Sequence, residues 1–172
     1  MSAVVFGKMP AHGDFVSRGL TPEQSERWDS WIAGEILTQR TALGDAFEDR
    51  FDHAPVWRFA VPYGDERLVG AMAPSADSVG RRFVLVAGRT AETLQPALAE
   101  ACEDLLYQAF GENWTAPQLH AALDDCDVAD TGDAAPAEWW TIGNDRFPEA
   151  SRADAMPVGL LGLMLTPRSE TV

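Results

Sequence analysis

The chain has 172 residues, 46% of them apolar and including 8 Phe, 6 Trp and 2 Tyr. That is enough for one packed core, is short for two, and excludes an intrinsically disordered polypeptide. The net charge of −14 comes from 13 Lys+Arg against 27 Asp+Glu, and no Lys or Arg occurs between Thr90 and Asp145; a surface of that sign repels nucleic acid and anionic membrane and steers a basic partner if it steers any.

Residues 7–20, GKMPAHGDFVSRGL, follow a short apolar strand candidate, Ala3-Val4-Val5-Phe6, and precede a long helix. A connection of that length, dense in Gly, Asp and Ser around one aromatic, Phe15, reads as an ordered loop, because Gly supplies positive φ and Asp or Ser bonds neighbouring amides. Two readings stay open: a recognition or catalytic loop, and a plain turn in which Asp14 caps local amides.

Thr21-Pro22-Glu23 is a helix start, with a hydroxyl at the N-cap, proline at the first helical position and an acid in the first turn. Trp28, Trp31, Ile32 and Ile36 form one apolar stripe. The helix is expected to run to Gln39, with a second helical stretch from Thr41 through Phe47 beyond a loosened turn near Gly44. His53-Ala54-Pro55 breaks it. Trp28 and Trp31 read as core anchors against a sheet, with a partner-binding aromatic stripe as the alternative.

Val56 to Val61 and Leu68 to Ala73 read as strands joined by a turn at Pro62-Tyr63-Gly64-Asp65, a hairpin by spacing. Residues 74–82, PSADSVGRR, read as a second ordered loop leading into Phe83 to Ala87, an unbroken apolar strand of the kind found inside a covered sheet. This loop is either an Asx turn beside a solvated Arg82, or a phosphate seat built from guanidinium forks and backbone N–H groups. It lacks P-loop spacing.

Leu94, Leu98, Ala101, Cys102, Leu105, Leu106 and Ala109 repeat at helical spacing, with Thr90 or Thr93 as the N-cap. A shorter helix spans Thr115 to Leu123, and His120 reads as a surface or packing histidine. Residues 124–137 are acidic and aperiodic, and a mobile loop is expected there. Glu138 to Gly143 is a short aromatic strand candidate and Val158 to Leu165 a last one. The order implies an α/β (α+β) fold: one domain over 1–172, with a mixed, mainly antiparallel sheet packed with helices.

The N-terminal MSAVVFGK lacks the cationic and apolar regions of a secretory signal. The longest apolar run, Met156 to Leu165, is 10 residues, against roughly 20 for a membrane span, so no membrane insertion is expected. Cys102 and Cys126 form no Cys-x-x-Cys, and a reducing, cytoplasmic setting follows. His12, His53 and His120 sit on three different elements without zinc-ligand spacing, so no metal or other cofactor is expected. Ser75, His12 and Asp14 could be assembled into a triad on paper, but no Gly-x-Ser-x-Gly elbow supports a nucleophile.

Five stretches, GKMPAHGDFVSRGL, Trp28-Asp29-Ser30-Trp31, Pro55-Val56-Trp57-Arg58-Phe59, PSADSVGRRF at 74–83 and Trp139-Trp140, together resemble the TagF family of type VI secretion-associated proteins. The likeness covers about residues 4–143. It implies a cytoplasmic domain that represses type VI secretion after translation, without an established catalytic activity. The implied partner is a forkhead-associated scaffold protein of the secretion system; a PP2C-type phosphatase, to which the family is sometimes fused, is a second. The family motif falls on Gly7, Pro10, Gly13, Asp14, Phe15 and Arg18, on Trp57 and Arg58, and on Pro74, Ser75, Asp77, Gly80 and Arg81; His12 lies within its first stretch. Met9 stands where leucine is more usual, and Arg82 where an aromatic or apolar residue is. On this reading the two loops pack side by side at one end of the sheet and dock a protein, with Asp14 and Arg81 as a structural or a contact pair. The rival reading is a phosphate- or small-ligand-binding module in which Arg81, Arg82, Ser75 and His12 hold the anion.

Overall fold

The computed structural model describes residues 2–168. Seven strands, β1 (Ala3–Gly7), β2 (Val16–Arg18), β3 (Trp57–Tyr63), β4 (Glu66–Ala76), β5 (Arg82–Ala91), β6 (Trp139–Thr141) and β7 (Ala150–Arg152), form one sheet in the order β2-β1-β5-β4-β3-β6-β7. Every pairing is antiparallel. The expected mixed sheet is therefore antiparallel throughout the described residues, and the α+β class holds.

Helices cover both faces: α1 (Pro22–Leu43), α2 (Phe47–His53) and α5 (Leu160–Met164) on one, α3 (Pro96–Glu112) and α4 (Ala116–Asp124) on the other. Side chains alternate between them along each strand. Val4, Phe6, Trp57, Phe59, Leu68, Met72 and Val86 enter an aromatic core with Trp28, Ile32 and Ile36 of α1. Val5, Ala60, Val69, Ala71, Leu85 and Ala87 enter a core rich in alanine with Leu98, Cys102 and Leu106 of α3. Burial on both faces is why β5 reads as an unbroken apolar run.

The starts of α1 and α4 follow their sequence signals. Thr21 Oγ1 accepts from Gln24 N at 3.2 Å and Gln24 Oε1 from Thr21 N at 2.8 Å, a capping box. Gln118 Oε1 accepts from Thr115 N at 2.8 Å ahead of α4. The Trp28 ring lies 5.7 Å from those of Trp31 and Phe59, and Trp31 lies 5.5 Å from Trp139. The indole N–H groups of Trp31 and Trp139 donate to the carbonyls of Pro157 and Ala155. These tryptophans are core anchors, and the polar edges of Trp31 and Trp139 are satisfied.

Four expectations are corrected. The first helix continues past Gln39 to Leu43, and the break falls at Gly44, whose φ is +55°. Thr90 caps nothing: it belongs to β5 and its N–H donates to Ser2 O at 2.9 Å, while α3 begins at Pro96 after Gln95, with no side-chain cap, so Thr93 is not the cap either. Only residues 77–81 of the second loop are a turn, because β4 and β5 extend into it as a hairpin. Val158 to Leu165 is not a strand but contains α5, with Leu160, Leu161, Met164 and Leu165 buried. So short an apolar run does not distinguish the two periods.

Between α4 and β6 the chain is irregular, yet Cys126, Val128 and Ala135 pack on the alanine-rich core and Thr93 Oγ1 donates to Asp130 Oδ2 at 2.8 Å. Cys102 is fully buried, which pushes its thiol pKa well up. No helix among the described residues is long and apolar enough to cross a membrane.

Candidate functional site

The two glycine-containing loops meet at one end of the sheet. Gly7 ends β1 at φ +125°, where a Cβ would stand 2.0 Å from Val84 O, so only glycine lets the chain leave the strand this close to β5. Lys8 N then donates to Val84 O at 3.1 Å. Met9 is buried in the alanine-rich core, and Pro10 and Ala11 make a turn closed by His12 N donating to Met9 O at 3.0 Å. The turn carries the chain across the tip of the β4–β5 hairpin, where Ser78 N donates to His12 O at 2.8 Å.

Asp77 organises the hairpin tip. Its Oδ1 accepts from Val79 N at 3.1 Å and Arg81 N at 2.9 Å, the Asx turn expected of it. Its Oδ2 accepts from Arg81 Nε at 2.7 Å and stands 3.7 Å from Lys8 Nζ. Burial by itself would raise the Asp77 pKa, but the hydrogen bonds from Arg81 and Val79, with the guanidinium charge, outweigh it and hold the carboxyl below its usual value. Arg81 also reaches the first loop, donating to Gly13 O at 2.8 Å. Gly80 completes the turn.

The polar groups of the region are bonded within the chain. Ser75 Oγ donates to Lys8 O at 2.7 Å. His12 Nε2 accepts from Ala116 N, the first amide of α4, at 2.9 Å, which places the ring proton on Nδ1 and ties the loop to that helix. Arg82 is not solvated as expected: its Nε and one terminal nitrogen each donate to Asp52 at 2.7 Å, and Glu48 lies 3.2 Å away. That fork lowers the Asp52 pKa and raises that of Arg82.

Two apolar side chains stand outward among polar ones. Val79, at the hairpin tip, is 70% exposed. Phe15 is 40% exposed and rests edge-on against Phe6 and Phe83, with centroids 4.8 and 5.2 Å away. Pro10, Asp14 and Arg18 are exposed beside them. Asp14 does not pair with Arg81 and caps no amide among the described residues; Asp77 does both.

The expected residues thus divide. Pro10, His12, Gly13, Asp14, Phe15, Ser75, Asp77, Gly80 and Arg81 come together with Lys8, while Arg18 lies at the nearby edge strand β2. Trp57 and Arg58 do not join them. Trp57 is buried in the aromatic core with its Nε1 unpartnered. Arg58 points to the opposite face, where Nε and a terminal nitrogen both reach Glu103 Oε2 of α3 at 2.6 Å. Sequence reasoning passed over Lys8 and Val79. The signal for Lys8 was its singularity, as the other cationic residues are all arginines; Val79 carried none, since a lone valine in a polar loop reads equally as buried. Among the described residues, no cluster of three or more His, Cys, Asp or Glu side chains is placed to hold a metal ion.

Comparison with curated proteins gives no match. Among solved structures, PA0076 from Pseudomonas aeruginosa PAO1 superposes with a TM-score of 0.72 at 23% identity, covering 95% of this chain and 92% of that one. At this identity the likeness establishes the shared fold. The sequence comparison goes further, since residues 4–126, including both loops but ending before Trp139, match the TagF N-terminal domain. The chain therefore belongs to that family, which is type VI secretion system-associated.

Proposed function

We propose that this protein is a cytoplasmic negative regulator of a bacterial type VI secretion system, acting by protein binding through the joined loops 8–15 and 77–81. Its partner on this reading is the forkhead-associated scaffold protein of the same secretion cluster. The observation that carries the reading is the division of labour at the loops. Asp77, Arg81, Arg82, Ser75 and His12 are engaged inside the chain, whereas Val79 and Phe15 face outward on a surface braced by those bonds. Prepaid polar bonding with exposed apolar tips suits a protein partner, because a rigid apolar contact loses little freedom on docking. The same bonds weigh against the phosphate-binding alternative, since an incoming anion would have to displace Asp77 and Asp52 from the two guanidinium groups.

The test is calorimetric titration of the chain with that scaffold. Saturable 1:1 binding is expected, at least tenfold weaker for Val79→Asp or Asp14→Ala; both positions are exposed and neither side chain makes a hydrogen bond among the described residues. Binding unchanged in both variants would overturn the loop surface. No heat at tens of micromolar would overturn the scaffold as partner and turn attention to the PP2C-type phosphatase.

A further inference from the structure

Around the end of the sheet from the loops lies an open groove of about 500 Å³, bounded by the end of α2, the residues entering β3, the outer face of α3 and the turn after β6. It is joined to the loop region through Asp52, which lines the groove and holds Arg82. Two exposed apolar groups flank it, Tyr107 at 56% and Ile142 at 65% exposure.

Its charges are unbalanced. Glu100 and Asp104 line it one helical turn apart on α3, both exposed, and neither makes a hydrogen bond or ion pair among the described residues. Like charges four residues apart weaken a helix, and among the described residues no cation forms an ion pair with either. Arg58 is engaged by Glu103 and Arg82 by Asp52 and Glu48, while Thr90 to Asp145 contains no Lys or Arg. Burial raises the Tyr107 pKa, and Glu103 and Asp104 add to that shift against the opposing Arg58, so the phenol faces the same negative field.

We infer that this groove docks a segment of a partner protein carrying arginine flanked by apolar residues, the guanidinium lying between Glu100 and Asp104 against Tyr107 and an apolar neighbour meeting Ile142. Charge complementarity selects a basic occupant over a neutral apolar one. The geometry favours arginine over lysine, because a planar fork meets two carboxylates and an aromatic face at once. The site does not depend on the loop surface.

The probe is an acetylated, amidated pentapeptide, Leu-Arg-Leu-Arg-Leu, titrated into the 15N-labelled full chain, with its glutamate counterpart as control. Amide shifts are expected at Glu100, Asp104, Tyr107 and Ile142, saturating with the arginine peptide and absent with the control. The E100Q/D104N variant is expected to bind at least tenfold more weakly while melting no lower than the wild type, since a repulsion has been removed. Val79→Asp is expected to leave this binding unchanged, which separates it from the loop reading. Shifts spread evenly over residues 90–145, equal affinity in E100Q/D104N, or no shift at all would each overturn the groove as a docking site.

Discussion

Arg58 is the family-motif residue whose role the fold reassigns most clearly, and Arg58→Met tests the reassignment. Arg58 and Glu103 form a contact of 2.6 Å between β3 and α3, with side-chain exposures of 14% and 8%. Methionine keeps much of the aliphatic stem and removes the charge, which leaves a nearly buried carboxylate without its cation. Breaking such a pair from one side costs about 3–5 kcal/mol. For a chain of this length that lowers the melting temperature by roughly 2–4 °C per kcal/mol, about 6–20 °C in all. The double variant R58M/E103M removes both charges and is expected to recover to within about 1.5 kcal/mol of the wild type, because apolar replacement of a whole buried pair is often neutral or stabilising. Urea unfolding of the wild type, the single variants Arg58→Met and Glu103→Met, and the double variant gives the coupling directly. A loss below 1 kcal/mol in Arg58→Met, or a double variant no better than either single one, would refute the claim that this pair fastens α3 to the sheet.

Three further outcomes follow from the geometry. Gly7→Ala places a Cβ 2.0 Å from Val84 O at a φ of +125°; strained backbone and overpacking together cost about 3 kcal/mol, read as a lowered urea midpoint. Thr21→Ala removes the side-chain half of the capping box of α1 and costs about 1 kcal/mol in the same assay. Asp77 is held below its unfolded value of 3.8, so the unfolded chain binds its proton first as pH drops. Its contribution is complete above pH 3.8 and is lost as pH falls through the lower folded value. Thermal melts from pH 6 to 2.5 are expected to show a shallower acid loss in Asp77→Asn than in the wild type.

Local chemistry was readable wherever a residue acts on its own neighbours. Thr21-Pro22 and Thr115 with Gln118 announce their helices because capping bonds span three residues, and the hairpin of β3 and β4 is written in Gly64-Asp65 between two apolar runs. The two-sided burial of β5 and the core role of Trp28 and Trp31 also follow from pattern, and the meeting of the two glycine loops was expected from the family motif.

Other features were settled only by distant contacts. The run at 158–165 carries apolar residues compatible with strand or helix, and α5 is chosen by packing on α1, where Leu161 N donates to Glu35 Oε1 at 3.2 Å. Short strands β2 and β7 expose most of their side chains and have no apolar period to show. Asp14 and Asp77 look alike in sequence, each in a glycine-containing polar loop, yet Asp77 is buried with Arg81 and Lys8 around it while Asp14 stands in water. Composition determined one acidic domain, and helix and hairpin signals determined most of its elements. Which carboxylate is buried, which arginines are taken and which valine stands exposed depend on chain segments tens of residues apart, whose meeting only the folded sheet decides.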